Sequence, residues 1–369
     1  MNILYLTGNL GIGGTELYAL DYAKSMRSIG HTVLWASIKT GPMKEKIKQE
    51  GISLLYCSFE YRLPLSFLRA MWQLRKHCKI HKIDVIHAVD AYTTLVAVLA
   101  FKKVKKRPKL IWSSVGIGSK SYSLMKKICE KNIDIIITVS QFIRNRMIEE
   151  GFDPKKLITY YQSREMVNST MKRDILRKEF GLKEKDFVIG TIGRLAYMKG
   201  NRTVVLAVKS LIKSRKDIKL LIVGDGPDRK ELEKLSKELG IQDNIIFTGF
   251  RTDIENMYAV FDIVAFPTYY EALGYIPFEA MYYEKPIVAS YTGGIPEIVI
   301  DGYNGLLVPP AMEEEWFKAF KRVIENKELY EKLRVNGKKY YNFYLKRDNT
   351  YKKLESIYLG TKKGEEDKS

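Results

Sequence analysis

The sequence predicts an α/β protein with two doubly wound domains, each built around a parallel β-sheet. The chain has 369 residues, which is the length of about two domains of ordinary size. Short β-rich runs alternate with helical patterns along both halves. These runs are continuously apolar rather than alternating, which is typical of parallel strands that helices cover on both faces.

A strand is expected at each of these apolar runs. Seven runs lie in the first half: Ile3–Thr7, Thr32–Ala36, Ile52–Cys57, Asp84–His87, Lys109–Ser113, Asp134–Val139 and Leu157–Tyr160. Six runs lie in the second half: Phe187–Ile192, Lys219–Val223, Asn244–Phe247, Asp262–Phe266, Pro286–Ser290 and Gly305–Val308. Helical patterns such as Thr15–Ile29 and Pro64–Lys79 separate the strands, and Gly30 stands where a helix C-terminal glycine belongs.

The polar, aperiodic segment Gln162–Arg173 indicates a boundary between the two domains. We therefore expect a first domain over residues 1–165 and a second over residues 166–345. A long helical pattern, rich in Tyr and Lys, covers Glu328–Tyr358. Its last part, within 346–369, is expected to return to the first domain and to end in a frayed tail.

Composition excludes several classes of protein. Hydrophobic residues make up 46% of the chain, which argues against wholesale disorder. Three cysteines (Cys57, Cys78 and Cys129) without a CxxC spacing argue against a disulfide framework, and four histidines argue against a histidine-rich metal site. The opening MNILYLTGN has no features of a secretory leader, and the apolar stretches are shorter than the roughly 20 residues of a membrane helix. A cytoplasmic protein, at most peripheral to a membrane, is expected.

The charge is unevenly distributed along the chain. The net charge is +19, of which +14 falls within residues 1–168. Such an excess indicates nucleic acid, an anionic membrane surface or an acidic substrate as partner, unless it only reflects a Lys-rich composition.

Three loops after predicted strands carry candidate binding residues, because ligands of open α/β sheets bind beyond the carboxyl ends of the strands. The first loop, TGNLGIGGTE (7–16), offers Gly11, Gly13 and Gly14 for close backbone approach to an anion. Its spacing matches neither the dinucleotide fingerprint nor the P-loop, so a plain tight turn is the alternative.

The second loop, GRLAYMKG (193–200), holds two cations. Arg194 offers a planar fork and Lys199 a point charge, which together suit a diphosphate; solvated surface charge is the alternative.

The third loop, EALGYIPFE (271–279), is the most informative. Glu271 and Glu279 stand eight residues apart, and Gly274 and Pro277 indicate that a helix starts between them. Carboxylates accept hydrogen bonds from the vicinal hydroxyls of sugars and ribose. With the cations of the second loop, this pattern predicts a pocket for a sugar joined to a diphosphate.

The second half resembles the retaining GT-B glycosyltransferases, specifically glycosyltransferase family 4 (group 1). The matching segments are GRLAYMKG (193–200), LLIVGDGP (220–227), IIFTGF (245–250), EALGYIPFEA (271–280), KPIVAS (285–290) and GGIPEIVIDGYNGLLVPP (293–310). The first half resembles the family more loosely, through GIGGTE (11–16), GHTV (30–33), DVIHA (84–88) and TVSQF (138–142). The resemblance implies the GT-B fold, in which two Rossmann-like domains face each other across a cleft.

The resemblance also implies roles for the candidate residues. Arg194 and Lys199 would hold the diphosphate, Glu271 the transferred sugar, and Glu279 the ribose. The remaining donor contacts would come from backbone at Gly274 and Tyr275 and, after closure of the cleft, at Gly13 and Gly14. The expected catalytic residues are therefore Arg194, Lys199 and Glu271. The expected co-substrate is a nucleotide-sugar, guessed to be a UDP-sugar. Neither a metal nor another cofactor is expected.

Two positions depart from the family pattern on the acceptor side. Val115 stands where many members have a histidine, and Val89 stands at the second position of a paired-histidine pattern. His87 and Asp90 are left as the candidate acceptor contacts, although a satisfied strand-end residue is the alternative for His87.

The acceptor is expected to be a glycan or a lipid-linked glycan of cell-surface polysaccharide or glycolipid synthesis. A basic run lies at Lys102–Lys109, and the helical stretch 62–82 adds further cations, including Arg62. We hypothesise that this face meets anionic inner-leaflet lipid. The apolar residues Leu65, Leu68 and Trp72 of that stretch are expected to pack on the sheet instead.

Two other functions remain open from the sequence. A GT-B phosphorylase or nucleotide-sugar epimerase would share the fold and differ in reaction. A nucleic-acid-binding protein would explain the charge, but the chain carries no zinc finger, RRM core or KH loop.

Overall fold

The structure is a computed structural model that describes residues 1–11, 13–59, 64–115, 119–162, 166–346 and 350–360. The chain divides into two compact units. Unit 1 comprises Met1–Arg164 and Arg347–Ser369, and unit 2 comprises Glu165–Lys346. Arg62 and the expected frayed tail lie outside the described residues.

Unit 1 is built on a seven-stranded parallel sheet with the order β3-β2-β1-β4-β5-β6-β7. Its strands are β1 (Asn2–Leu6), β2 (Thr32–Ser37), β3 (Ser53–Tyr56), β4 (Val85–Ala88), β5 (Lys109–Ser114), β6 (Ile135–Thr138) and β7 (Leu157–Thr159). Its helices are α1 (Gly14–Ser28), α2 (Met43–Gln49), α3 (Pro64–Ile80), α4 (Ala91–Phe101), α5 (Ser119–Cys129), α6 (Gln141–Glu149) and the C-terminal helix α14 (Thr350–Leu359).

Unit 2 is built on a six-stranded parallel sheet with the order β10-β9-β8-β11-β12-β13. Its strands are β8 (Phe187–Ile192), β9 (Ile218–Val223), β10 (Ile245–Gly249), β11 (Ile263–Phe266), β12 (Ile287–Ser290) and β13 (Leu306–Val308). Its helices are α7 (Arg173–Glu179), α8 (Asn201–Ser214), α9 (Arg229–Glu238), α10 (Ile254–Val260), α11 (Ile276–Tyr282), α12 (Glu313–Glu325) and α13 (Lys327–Lys346).

The predicted fold class is confirmed. Each predicted apolar run forms a strand whose ends differ from the prediction by at most two residues. Both sheets start at a central strand, add two strands on one side and then the rest on the other, which is the Rossmann-like order. The strands are buried along most of their length, as expected for sheets with helices on both faces.

Local sequence signals explain several helix ends. The Asp90 side chain accepts from the backbone N–H of Thr93 at the start of α4, and Ser140 does the same for Ile143 in α6. Gly30 follows α1 with φ of +93°, a conformation that glycine adopts without strain.

The helical pattern at Glu328–Tyr358 forms two helices rather than one. Helix α13 belongs to unit 2, whereas α14 belongs to unit 1, so the C-terminal helix returns to the first unit as predicted. There the Lys109 ammonium donates to the Tyr358 carbonyl at 2.8 Å, and His31 Nε2 lies 2.9 Å from the Glu355 carboxylate.

The outer side of α3 corrects one prediction. Leu65, Leu68 and Trp72 are 80%, 62% and 61% exposed, so the expectation that they pack on the sheet is wrong. The helix is rotated so that Ala70 and Leu74 face the interior instead. None of the helices in the described part of the chain is both long and apolar enough to span a bilayer.

Candidate functional site

The loop after β8 brings two predicted cations to the carboxyl edge of the sheet of unit 2. Gly193 leaves the strand with φ of +142°, Arg194 follows it, and a short 3-10 turn over Tyr197–Lys199 presents Lys199. Gly200 ends this turn at φ of +64°, and a Cβ placed there would lie 2.0 Å from the Pro267 carbonyl oxygen. Only glycine therefore lets the loops after β8 and β11 pass each other this closely.

Lys199 and Glu271 form an ion pair across these two loops. The Lys199 ammonium donates to Glu271 Oε2 at 2.7 Å, although the residues are 72 positions apart in the chain. Their side chains are 37% and 20% exposed, so the pair is within reach of a ligand. Two of the three predicted catalytic residues, Lys199 and Glu271, thus meet within one unit.

Backbone contacts fix the loop that carries Glu271. On one side, the Met198 carbonyl accepts from the Tyr269 N–H at 2.8 Å and from the Thr268 hydroxyl at 3.0 Å. On the other side, the Glu271 carbonyl accepts from the Gly294 N–H at 3.1 Å. Three strand-end loops, after β8, β11 and β12, therefore hold one carboxylate in position.

Glu279 lies in the helix that follows this loop. It is 7% exposed, and its Oε2 accepts from the Tyr258 hydroxyl at 2.7 Å. Tyr258 is itself fixed in α10, where its ring stacks on that of Tyr283 with centroids 4.7 Å apart. The carboxylate is thus oriented from below by a buried tyrosine.

Gly274 and Tyr275 connect the two carboxylates. Gly274 has φ of +83°, and a Cβ there would crowd Phe266 and the Glu271 side chain at about 3.0–3.1 Å. Tyr275 is buried and caps α11, with Pro277 in the first turn as the sequence predicts. This helix has only seven residues, so its dipole supplies less charge than that of a full-length helix.

Arg194, unlike Lys199 of the same loop, forms no ion pair with a described residue. Its side chain is exposed, and it has no hydrogen-bond or ion-pair partner within the parts of the chain that the structure describes. By contrast, Arg229 at the end of the neighbouring β9 loop is held by Asp225 at 3.0 Å and Glu233 at 2.8 Å. Arg194 therefore has its full set of five N–H donors available for an anionic ligand.

In unit 1, the glycine-rich loop leads from β1 into α1. Gly13 is the N-cap residue in extended conformation, and Gly14 opens the helix. A Cβ on Gly14 would meet nothing within 4 Å, whereas one on Gly13 would lie 2.8 Å from the Glu16 carboxylate. Glu16 is 9% exposed, and desolvation by burial raises the pKa of its carboxyl group.

His87 lies within β4 rather than beyond its end. The ring is fully buried, with Nδ1 2.6 Å from the Tyr358 hydroxyl and Nε2 2.7 Å from the Ser113 hydroxyl. Tyr358 in turn bonds the Tyr5 hydroxyl at 2.8 Å, and burial lowers the pKa of His87 to about 3. Because both ring nitrogens are occupied by protein hydroxyls, the geometry argues against the predicted acceptor contact of His87.

Asp90 does follow β4 directly. Its carboxylate accepts from the backbone N–H of Gly8, at the end of β1, and of Thr93, both at 2.8 Å. Burial raises the pKa of this carboxyl group. Asp90 therefore ties two strand ends together, and its acceptor contact stays a prediction, as does any consequence of Val115.

Sequence reasoning missed the residues that support the site. Tyr258 belongs to no motif, and its contact with Glu279 arises only from packing. Gly293 is different, since a glycine pair after a predicted strand is a visible signal. It has φ of +57°, and a Cβ there would lie 1.8 Å from the Glu271 carbonyl oxygen.

Comparison with known proteins agrees with this architecture. Residues 172–340 match the family described as glycosyl transferases group 1, and residues 12–161 match glycosyltransferase family 4. Unit 2 thus carries a domain that matches the glycosyl transferases group 1 family, unit 1 carries one that matches glycosyltransferase family 4, and the chain has the GT-B fold. The crystal structure of Anabaena HepE in complex with UDP and glucose superposes with a TM-score of 0.85 at 23% identity, covering 98% of this chain and 100% of that one.

Two relatives of this chain illustrate how far the likeness extends. The alpha-D-kanosaminyltransferase of Streptomyces kanamyceticus is 34% identical over 168 residues, so the match spans 45% of this chain but only 43% of that relative. The N-acetyl-alpha-D-glucosaminyl L-malate synthase of Bacillus anthracis is 24% identical over 312 residues, or 80% of each chain.

Proposed function

We propose that this chain moves a sugar from a nucleoside diphosphate sugar to a hydroxyl of an acceptor, with retention of anomeric configuration. The observation that carries the proposal is the Lys199–Glu271 pair, partly exposed at the carboxyl edge of one sheet, where the loop that carries Lys199 also carries the exposed Arg194. This edge is where open α/β sheets bind ligands. A cation pair beside a fixed carboxylate is the arrangement that a sugar attached to a diphosphate requires.

The two cations stabilise the leaving group. Cleavage of the anomeric C–O bond sends its electron pair to the diphosphate, which gains one negative charge. Lys199 donates one of its three N–H groups to Glu271, so two remain for phosphate oxygens. Arg194 can bind a phosphate bidentately. Preorganised donors of this kind are typically worth about 100- to 1000-fold in rate each.

The acceptor hydroxyl attacks the anomeric carbon from the face that the diphosphate leaves. Its proton passes to the departing phosphate oxygen, so atoms and charge balance without a separate protein base. We propose that no metal takes part, because the guanidinium and the ammonium supply the positive charge that a divalent ion would supply elsewhere.

The carboxylates select the two ends of the donor. Glu271, held from both sides by backbone, accepts hydrogen bonds from hydroxyls of the transferred sugar. Glu279, oriented by Tyr258, accepts from the ribose hydroxyls, since a carboxylate has about four acceptor positions. Backbone at Gly274 and Tyr275 completes the donor site.

The names of the relatives and of the solved structure support a nucleotide-sugar as the donor and favour no single acceptor. HepE was crystallised with UDP and glucose, so a UDP-sugar is our first choice of donor. One relative is named for the transfer of a kanosaminyl group and the other for the synthesis of an N-acetylglucosaminyl malate, so the two names give different transferred sugars. We propose that unit 2 binds the donor and that unit 1 binds the acceptor, a cytoplasmic glycan or lipid-linked glycan of cell-surface synthesis. The donor contacts of Gly13 and Gly14 stay a prediction.

A donor screen followed by mutagenesis tests the proposal. We expect one of UDP-, GDP- or ADP-glucose, or the corresponding N-acetylglucosamine or galactose donors, to raise the melting temperature of the full chain. Glu271→Ala and Lys199→Ala should each lower transfer, or donor hydrolysis where no acceptor is known, at least tenfold. The control Lys230→Ala removes an exposed cation of α9 and should leave the rate unchanged.

Wild-type rates in both site variants would overturn the assignment. Formation of a 2-epimer without acceptor, or phosphate-dependent breakdown of a glycan, would identify an epimerase or a phosphorylase instead. Duplex binding with a steep salt dependence and no nucleotide-sugar affinity would identify a nucleic-acid-binding protein.

A further inference from the structure

Helix α3 of unit 1 turns mostly small side chains toward the interior and large apolar side chains toward solvent. The residues that face the interior are spaced by four: Ser66, Ala70, Leu74 and Cys78, all at most 8% exposed. The outer side carries an apolar row, namely Leu65, Leu68, Trp72 and Ile80, each at least 59% exposed. Large exposed apolar groups on a single helix face indicate an interaction surface rather than scattered surface residues.

Side-chain anchors hold α3 in this rotation. The Gln73 amide oxygen accepts from the Ser58 N–H at 2.8 Å, and His77 Nε2 lies 3.1 Å from the Tyr56 carbonyl oxygen. Arg75 Nε donates to the Ala100 carbonyl at 2.5 Å, which joins α3 to the end of α4. The apolar row is therefore a fixed part of the surface.

A cationic row accompanies the apolar row along the same outer side. Its members are Arg69, Arg75, Lys76 and Lys79, and all four are exposed. Helix α3 contains no Asp or Glu, and no carboxylate within the described parts of the chain pairs with these four cations. The apolar residues dominate the N-terminal half of the helix and the cations its C-terminal half.

The cationic surface continues beyond the helix. The Arg75–Ala100 contact places the C-terminal half of α3 beside the segment after α4. Lys102, Lys103, Lys105 and Lys106 are exposed there. Positive charge thus extends from one helix to the next connection on the same side of unit 1.

Together, the two rows match the chemistry of a lipid headgroup layer. Helices that lie in a membrane interface combine Lys and Arg with Trp and Leu, and tryptophan favours the headgroup level. Nucleic acid would use the cations and would leave the four large apolar side chains of the row in water. The stripe from Leu65 to Ile80 spans about 22 Å at 1.5 Å per residue, long enough to contact several headgroups.

We propose that the outer side of α3 docks on an anionic lipid bilayer, with its apolar row entering the headgroup region and its cationic row pairing with lipid phosphates. This inference does not rest on the proposed sugar transfer. It follows from the exposure and charge of unit 1 alone, and it would hold for an inactive chain.

Tryptophan fluorescence gives a site-specific test. Of the four tryptophans, Trp35, Trp112 and Trp316 are at most 1% exposed, so only Trp72 can respond directly to lipid. The full chain is titrated with vesicles of phosphatidylcholine alone and of phosphatidylcholine with 30% phosphatidylglycerol. We expect a blue shift and quenching by brominated lipid only with the anionic vesicles, and Trp72→Phe should abolish both signals.

Co-sedimentation with the same vesicles separates the two rows. Leu65→Ser/Leu68→Ser removes apolar contact, and Arg69→Gln/Lys76→Gln/Lys79→Gln removes charge; each should lower binding at least tenfold. The charge-matched control Lys230→Gln/Lys234→Gln/Lys237→Gln on α9 and the apolar control Ile175→Ser/Met312→Ser should bind like wild type. All of these positions are exposed, and unchanged melting temperatures verify folding.

Several results would overturn the docking proposal. These are equal binding to neutral and anionic vesicles, no binding at low salt, or loss of binding in the charge variant alone, which would indicate adsorption without insertion. A lipid-free dimer that Leu65→Ser/Leu68→Ser dissociates would assign the face to a second copy. Tight duplex binding that lipid does not displace would assign it to nucleic acid.

Discussion

The two units share one strand order but use their polar residues in opposite ways. In unit 2, Lys199 and Glu271 stand partly exposed at the carboxyl edge of the sheet, and backbone contacts hold them there. In unit 1, His87 and Ser113 are fully buried and bonded to each other, while Asp90 ties the strand ends together. The same Rossmann-like frame therefore supports a partly exposed ion pair at the sheet edge in one unit and a buried, hydrogen-bonded polar network in the other.

The difference shows why a motif must be located in the structure before it is given a role. A charged residue after a strand reached solvent in unit 2 because tight glycine loops surround it. A histidine one residue inside a strand was covered in unit 1 because α14 returns over it. The variants below test whether each unit depends on its own arrangement, in order of decreasing expected effect.

The largest effect is expected from Gly293→Ala in unit 2. The new Cβ would lie 1.8 Å from the Glu271 carbonyl oxygen, at φ of +57°, so the loop that carries Glu271 must move. A displacement of about 1 Å in a reacting group can cost about 100-fold in rate, and we expect at least that loss of transfer. The matched control is Gly302→Ala, at φ of +68° with open space around it, which should cost only about 1 kcal/mol of stability. Normal transfer by Gly293→Ala would show that the position of Glu271 is not critical.

The next effect concerns how the stability of unit 1 depends on pH. His87 has a folded-state pKa of about 3 against an ordinary value of 6.5, so the unfolded chain binds more protons between these limits. Stability should therefore rise with pH from about 3 to 6.5, and this histidine contributes at most about 1.4 kcal/mol per pH unit. In His87→Gln the slope should fall by that amount.

Urea unfolding between pH 4.5 and 7.5 measures this slope. Tryptophan fluorescence reports mainly on unit 1, because Trp35, Trp72 and Trp112 belong to it. An unchanged slope in His87→Gln would mean that the buried ring is not what opposes protonation.

A smaller effect is expected from Tyr258→Phe in unit 2. The change removes the hydroxyl that donates to Glu279 Oε2 at 2.7 Å, so the buried carboxylate loses one of its hydrogen bonds. Such a loss costs about 1–3 kcal/mol, and we expect the donor to bind about tenfold more weakly at nearly unchanged kcat. Calorimetric titration of the nucleotide measures it, with Tyr303→Phe, an exposed tyrosine, as control. A fall in kcat without a change in affinity would place Glu279 nearer the reacting atoms.

Much of the candidate site was predictable because its residues lie within short, ordered segments. Arg194 and Lys199 follow one strand, and Glu271 and Glu279 bracket one helix start, so local patterns locate them. Tyr258 and the backbone of Met198 were not predictable, since each contributes through a contact between distant segments. The predicted packing of the large apolar residues of α3 was wrong, because periodicity identifies a helix with two faces but does not say which face turns inward.

The sequence by itself determined the two parallel sheets, their thirteen strands within the described residues and the loops that hold the candidate ligand groups. Continuous apolar runs suffice for this, because strand formation and burial on both faces are encoded locally. The tertiary structure alone decided that Lys199 meets Glu271 across 72 residues, that His87 is sealed by Tyr358, and that α3 presents its large apolar side chains outward. These features depend on which distant surfaces pack together, and packing is a property of the whole fold rather than of any short segment.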